Sequence, residues 1–144
     1  KTMDYLVKAG PGRDKFVRFW TLLSQAVTSH PSAVAAELMN EPMTIHRHAM
    51  YDTWRVTTEA IVSVIPDMSV ALCDTGEGAL LPTWLSKIDA AIDISHNTTQ
   101  WIKNSKNSFY AWHWYGSPAD PNDAVKSVNA ISKAWNLPTM VCAG

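Results

Sequence analysis

Apolar positions along this chain alternate between two periods. From Asp14, the residues Phe16, Phe19-Trp20, Leu22-Leu23 and Val27 recur at helical spacing and stop before His30-Pro31. Asp14 suits the N-terminal cap of that helix, and its aromatics read as core contacts. The run Ala33 to Met39, within 32–42, then closes abruptly in Asn40, Glu41 and Pro42, the pattern of a short buried strand. Residues 51–65 return to helical spacing through Trp54, Thr58, Ile61-Val62 and Ile65, and Pro66 ends the stripe. Residues 68–73 form a second strand, closed by Asp74-Thr75-Gly76-Glu77-Gly78. A long connection over 80–106 carries two helical pieces, Trp84-Leu85-Ile88 and 97–103. Residues 108–116 alternate strictly: Phe109, Ala111, His113 and Tyr115 share one face, Tyr110, Trp112 and Trp114 the other. After a turn at 118–121, Asp120-Pro121-Asn122-Asp123 opens a helix with Val125, Val128, Ile131 and Trp135 on one stripe, and 137–144 is a last strand. Only 1–12 shows no period, with Gly10-Pro11-Gly12 as a breaker. Strands alternating with helices predict an α/β fold with a parallel sheet.

In such folds ligands and chemistry gather at the carboxyl ends of the strands. Pro42 cannot donate a ladder hydrogen bond and holds Glu41 extended, so Asn40 and Glu41 stand at such an end. A carboxyl group between low-dielectric walls retains a proton near neutral pH and can donate it to a leaving group. The plain alternative is a Glu capping the next helix. Glu37 shares parity with Met39 and Glu41 and reads as a structural carboxylate that needs a buried partner. His46, Arg47 and His48 lack the spacing and the companion ligands of a metal site, and read as a solvated loop that opens a helix beside the groove. Asp74, Glu77 and Trp84 are candidate sugar contacts, since carboxylates bind hydroxyls and indoles stack on apolar ring faces; a glycine-bounded turn with a solvated Glu is the alternative. That loop is no phosphate cradle, lacking both G-x-G-x-x-G and a following Lys-Ser/Thr.

Three stretches carry a resemblance. Glu37-Leu38-Met39-Asn40-Glu41-Pro42 resembles the acid/base strand of family 5 glycoside hydrolases, the cellulase and β-glycanase family of the large retaining clan. Phe109 to Gly116 resembles that family's H-x-Y strand, and Trp135-Asn136-Leu137-Pro138-Thr139 the approach to its nucleophile strand. Order and spacing agree over essentially the whole chain. The resemblance implies strands four to seven of a (β/α)8 barrel, a partial TIM barrel, with 1–144 a fragment of a single glycoside hydrolase barrel domain. It implies Glu41 as acid/base, Asn40 on the sugar 2-hydroxyl, His113 on sugar near the cleaved bond, and Tyr115 orienting the nucleophile. An Arg on an earlier strand, absent here, is the implied partner of Glu37. The substrate class is β-linked glucan, mannan or glycolipid, with no metal and no organic cofactor. Where the family carries P-T-x-x-x-E-F, this chain has Pro138-Thr139-Met140-Val141-Cys142-Ala143-Gly144, so Ala143 occupies the nucleophile slot. Three explanations stand: a replaced Glu, a shifted strand with Glu just past Gly144, or a degenerate homologue. A Cys142 nucleophile suits an oxocarbenium-like centre poorly.

Bulk numbers change the picture in two ways. The 144 residues are enough for one ordinary domain, whereas a (β/α)8 barrel needs about 250. A half-barrel leaves two strand edges unpaired, so the remaining strands are expected from a longer polypeptide or from partner chains. With 47% hydrophobic and 17% charged residues a packed core is expected, and a net charge of −1 argues against nucleic acid or another polyanion. No apolar run spans a membrane and no signal peptide is read at Lys1. Cys73 and Cys142, each in an apolar run, read as packing thiols. The sequon Asn97-Thr98-Thr99, together with the resemblance, points to a secreted setting.

Overall fold

In the computed structural model the described residues are 2–40, 42, 46–73, 96–114 and 121–143. Their order is α1 (Thr2–Val7), α2 (Pro11–Val27), β1 (Ala35–Glu37), α3 (Arg47–Val64), β2 (Ser69–Cys73), α4 (His96–Asn104), β3 (Ser108–Trp114), α5 (Pro121–Trp135) and β4 (Thr139–Ala143). The strands form one sheet in the order β1-β2-β3-β4, and every neighbouring pair is parallel. Parallel neighbours require a crossover, and helices occupy the crossovers here. The architecture is α/β and has the form of a partial TIM barrel.

The alternation read from the sequence becomes two faces. Val70, Leu72 and Tyr110 turn into the helical layer, where they join Tyr51, Trp54, Ile61, Ile102, Trp135 and Leu137 in one core. Ala71, Cys73 and Ala111, with Phe109 against them, form a small cluster of their own on the opposite face. Aromatic contacts tie the helical layer together. Phe16 stacks on Trp54 at 5.8 Å between centroids, and Trp135 meets Tyr51 and Tyr110 edge-on at 5.3 and 6.2 Å. Such pairs add roughly 0.5–1.5 kcal/mol each beyond the area they bury.

Several expectations are corrected. Residues 1–12 hold α1, whose six residues are too few to show a period. It is secured from outside, by the Thr53 hydroxyl donating to the Val7 carbonyl at 2.6 Å. Gly10-Pro11-Gly12 starts α2 instead of breaking a helix. Gly10 is the N-cap at φ 142°, and Pro11 loses nothing in the first turn, where its amide would have no partner. Asp14 therefore sits in the first turn and is not the cap. Phe19 is 57% exposed and lies edge-on to Trp20, so it is no core contact. Val125 is 54% exposed, although Val128 and Trp135 of the same stripe are buried. β1 covers only 35–37 of the expected 32–42, the three residues that pair with Ser69 to Ala71 of β2. The helical piece at Trp84-Leu85-Ile88 lies outside the described residues.

Gly12 is where α1 and α2 meet. A Cβ there would overlap the Tyr5 carbonyl oxygen and crowd the Tyr5 ring. Gly12→Ala is therefore expected to destabilise the fold by about 1–3 kcal/mol, as overpacking does, despite its better helix propensity. A urea midpoint equal to or above that of the parent would refute the close approach.

Candidate functional site

Three strands end side by side, and each delivers one polar group to the face away from the helical layer. β1 ends on Glu37, β2 on Cys73, and His113 is the penultimate residue of β3. Register brings them together: Glu37 pairs with Ala71, two positions before Cys73, and Cys73 pairs with Ala111, two before His113. Side chains two apart on a strand share a face, so each step moves towards the carboxyl ends of the strands. The His113 Nε2 lies 3.1 Å from the Glu37 Oε1, and the Cys73 thiol donates to that same oxygen at 3.1 Å.

The electrostatics favour one proton arrangement. A carboxylate only accepts, so with Glu37 ionised the imidazole carries its proton on Nε2 and donates it. His113 is 8% exposed and Cys73 4%, whereas the Glu37 side chain is 37% exposed. The cluster thus has a buried floor and one wet carboxylate lip. Its backbone is pinned from the helical side, where the Trp54 indole N–H donates to the Cys73 carbonyl at 2.9 Å. Within this chain Glu37 takes His113 and Cys73 as partners.

The residues picked out from the sequence fare differently. His113 lies near the carboxyl end of its strand on the face shared with Ala111 and Cys73, as the alternation predicted. Asn40 is exposed in a bend three residues beyond β1, and Pro42 is buried. Position 143 pairs in register with Trp114, and position 142 with His113. Glu41, Tyr115, Asp74, Glu77 and Trp84 lie outside the described residues. His46 precedes α3, its Nε2 3.8 Å from an Asp4 carboxylate oxygen. What the sequence reading missed is the role of Cys73 as a donor to Glu37. The signal was available: Cys73 is the last apolar residue of its strand and shares parity with Ala71, as His113 does with Ala111.

No protein-family profile matches the chain, and no curated protein matches it in sequence. Among solved structures it is similar to the crystal structure of the catalytic domain of Thermobifida fusca endoglucanase Cel5A (E5). The TM-score is 0.58 at 19% identity, over 92% of this chain and 40% of that one. The fold is similar to that of this catalytic domain. At this identity the likeness concerns the fold alone, and this chain spans 40% of the length of the chain it resembles. Among the described residues no helix is long and apolar enough to cross a membrane.

Proposed function

We propose that residues 1–144 supply the acid/base side of a retaining β-glycoside hydrolase site, with β-1,4-glucan as the leading substrate. In this reading they are part of one secreted barrel domain whose other strands come from the same polypeptide or from partner chains. The observation that carries the proposal is the position of His113. It lies near the strand ends, hydrogen-bonded to the carboxylate from which the chain runs on to Asn40-Glu41-Pro42, in a fold similar to that of an endoglucanase catalytic domain.

Retaining hydrolysis needs two carboxyl groups about 5–5.5 Å apart. Glu41 is the acid/base: it protonates the departing glycosidic oxygen and then takes a proton from the attacking water. Asn40 holds the sugar 2-hydroxyl, a contact that strengthens in the transition state. His113, held by Glu37, donates to a substrate hydroxyl, and Tyr115 orients the nucleophile. Asp74, Glu77 and Trp84 line the groove through hydroxyl contacts and stacking. A carboxylate nucleophile is required opposite Glu41, and Ala143 occupies the corresponding position. Ala143 favours a second reading for the chain by itself, that of a sugar-binding module without turnover.

Calorimetry with cello-oligosaccharides, run beside a reducing-sugar assay on β-glucan, separates these readings. Binding with turnover supports the hydrolase, binding without turnover supports the module, and neither overturns both. His113→Ala is expected to weaken binding by roughly 5–70-fold, the loss of one hydrogen bond to a partly desolvated site (about 1–2.5 kcal/mol). An unchanged affinity would reduce His113 to a packing residue.

A further inference from the structure

We infer that Glu37, Cys73 and His113 form a site for a divalent transition-metal ion of the zinc class. This goes beyond the glycosidase reading and does not rest on it, although both use His113. The sequence reading assigned no metal, because no two of these residues are near one another in the chain. Only the parallel register of β1, β2 and β3 assembles them.

The donor set matches the metal. A thiol sulfur, an imidazole nitrogen and a carboxylate oxygen lie within 4.8 Å of one another, two of the three separations being 3.1 Å. Zinc bonds of about 2.3 Å to sulfur and about 2.0–2.2 Å to nitrogen and oxygen put tetrahedral ligands roughly 3.3–3.6 Å apart, so adjustments within side-chain reach close the site. Mixed sulfur, nitrogen and oxygen ligation selects zinc or cobalt over magnesium and calcium, which prefer oxygen alone. Charge agrees as well. A thiolate and a carboxylate together neutralise a divalent cation, so the ion can occupy a site whose floor is buried without leaving a net charge there.

Binding moves protons in a defined way. The Cys73 thiol gives up its proton to solvent, and the sulfur becomes the thiolate that ligates. Neutral His113 binds through the Nε2 lone pair as the Nδ1–H tautomer. Glu37, the exposed member, leaves the remaining coordination position towards solvent, the arrangement that distinguishes three-ligand sites from closed structural ones. The buried Trp54 indole, bonded to the Cys73 carbonyl, fixes the strand that carries the sulfur ligand.

The test is a titration of the purified, reduced chain with zinc, and separately with cobalt(II), with no sugar present. The expected result is one equivalent bound and, with cobalt, the near-ultraviolet charge-transfer absorption of a thiolate ligand. Cys73→Ser and His113→Asn should each weaken zinc binding by more than about 100-fold, since loss of an outer partner alone costs 10–100-fold. His30→Ala, in an exposed turn, should bind as the parent does. Cys142→Ser checks the other thiol: a cobalt–thiolate band that survives Cys73→Ser but vanishes in Cys142→Ser overturns the assignment. Absence of the band in the folded parent, or zinc affinity unchanged in both Cys73→Ser and His113→Asn, also overturns it. Circular dichroism of each variant excludes unfolding as the cause of a loss. Because no glycan enters the experiment, a negative outcome leaves the glycosidase proposal standing.

Discussion

On the hydrolase reading proposed above, Ala143→Glu is expected to bring turnover of β-glucan to the chain. Reducing-sugar release should rise at least about 10³-fold over the parent, because a covalent nucleophile supplies a larger share of the rate than any single contact. The argument begins with the spacing after Pro138. Counting along β4 puts position 143 where the resembling enzymes carry their nucleophile, and the structure places it at the carboxyl end of that strand, paired with Trp114. Every strand in this parallel sheet points its carboxyl end the same way, so position 143 lies at the end of the sheet that holds Glu37, Cys73 and His113. It lies on the register row of Trp114, which alternates with that of His113, and a carboxylate there has to reach the cluster around the strand end. Adding Glu41→Gln to that variant should remove about 10²–10⁴-fold of the gained rate while leaving oligosaccharide affinity largely intact, as expected for loss of a general acid/base. A folded Ala143→Glu chain that binds sugar and releases none would discard the hydrolase reading in favour of the binding module.

The second large effect concerns the scaffold. Trp54→Ala is expected to destabilise the protein by about 3–5 kcal/mol, the range for removing a large buried aromatic. Trp54 is fully buried in α3 and stacks on Phe16 of α2, which joins two helices to the sheet. Its indole also supplies the hydrogen bond to the Cys73 carbonyl, at the end of β2 where the polar cluster forms. The expected readout is a urea midpoint shifted down with an unchanged slope. Trp54→Phe keeps most of the ring and loses the N–H, so its cost should be nearer 1–3 kcal/mol, that of a buried carbonyl left without its donor. A Trp54→Ala midpoint within error of the parent would show that the stack and the tether are both dispensable.

The parts legible in the sequence are those with a long or strict period. The alternation of β3 gave both its faces, because a residue's side of a pleated strand follows from parity alone. α3 and α5 were readable from their apolar stripes and their bounding prolines, though α3 begins four residues before the expected 51. The errors fall where context outweighs period. α1 is too short to show one, and Gly10-Pro11-Gly12, a breaker in isolation, is a helix start once α1 packs across it. Phe19 and Val125 are apolar and correctly spaced, yet no element among the described residues covers them, and spacing says nothing of what lies opposite.

The sequence by itself determined the alternating α/β order, the inward parity of His113, and the polar close of the Glu37 to Pro42 stretch. Local covalent geometry suffices for these, since periods of two and 3.6 residues and the restrictions of proline act within a few positions. Only the tertiary structure decided that Glu37, Cys73 and His113 share one oxygen-centred cluster. These residues are 36 and 76 positions from Glu37 along the chain, and what joins them is the hydrogen-bonded register of three parallel strands. That register is fixed by burying Tyr51, Trp54, Tyr110 and Trp135 under the sheet, a property of the whole packed layer and of no single segment.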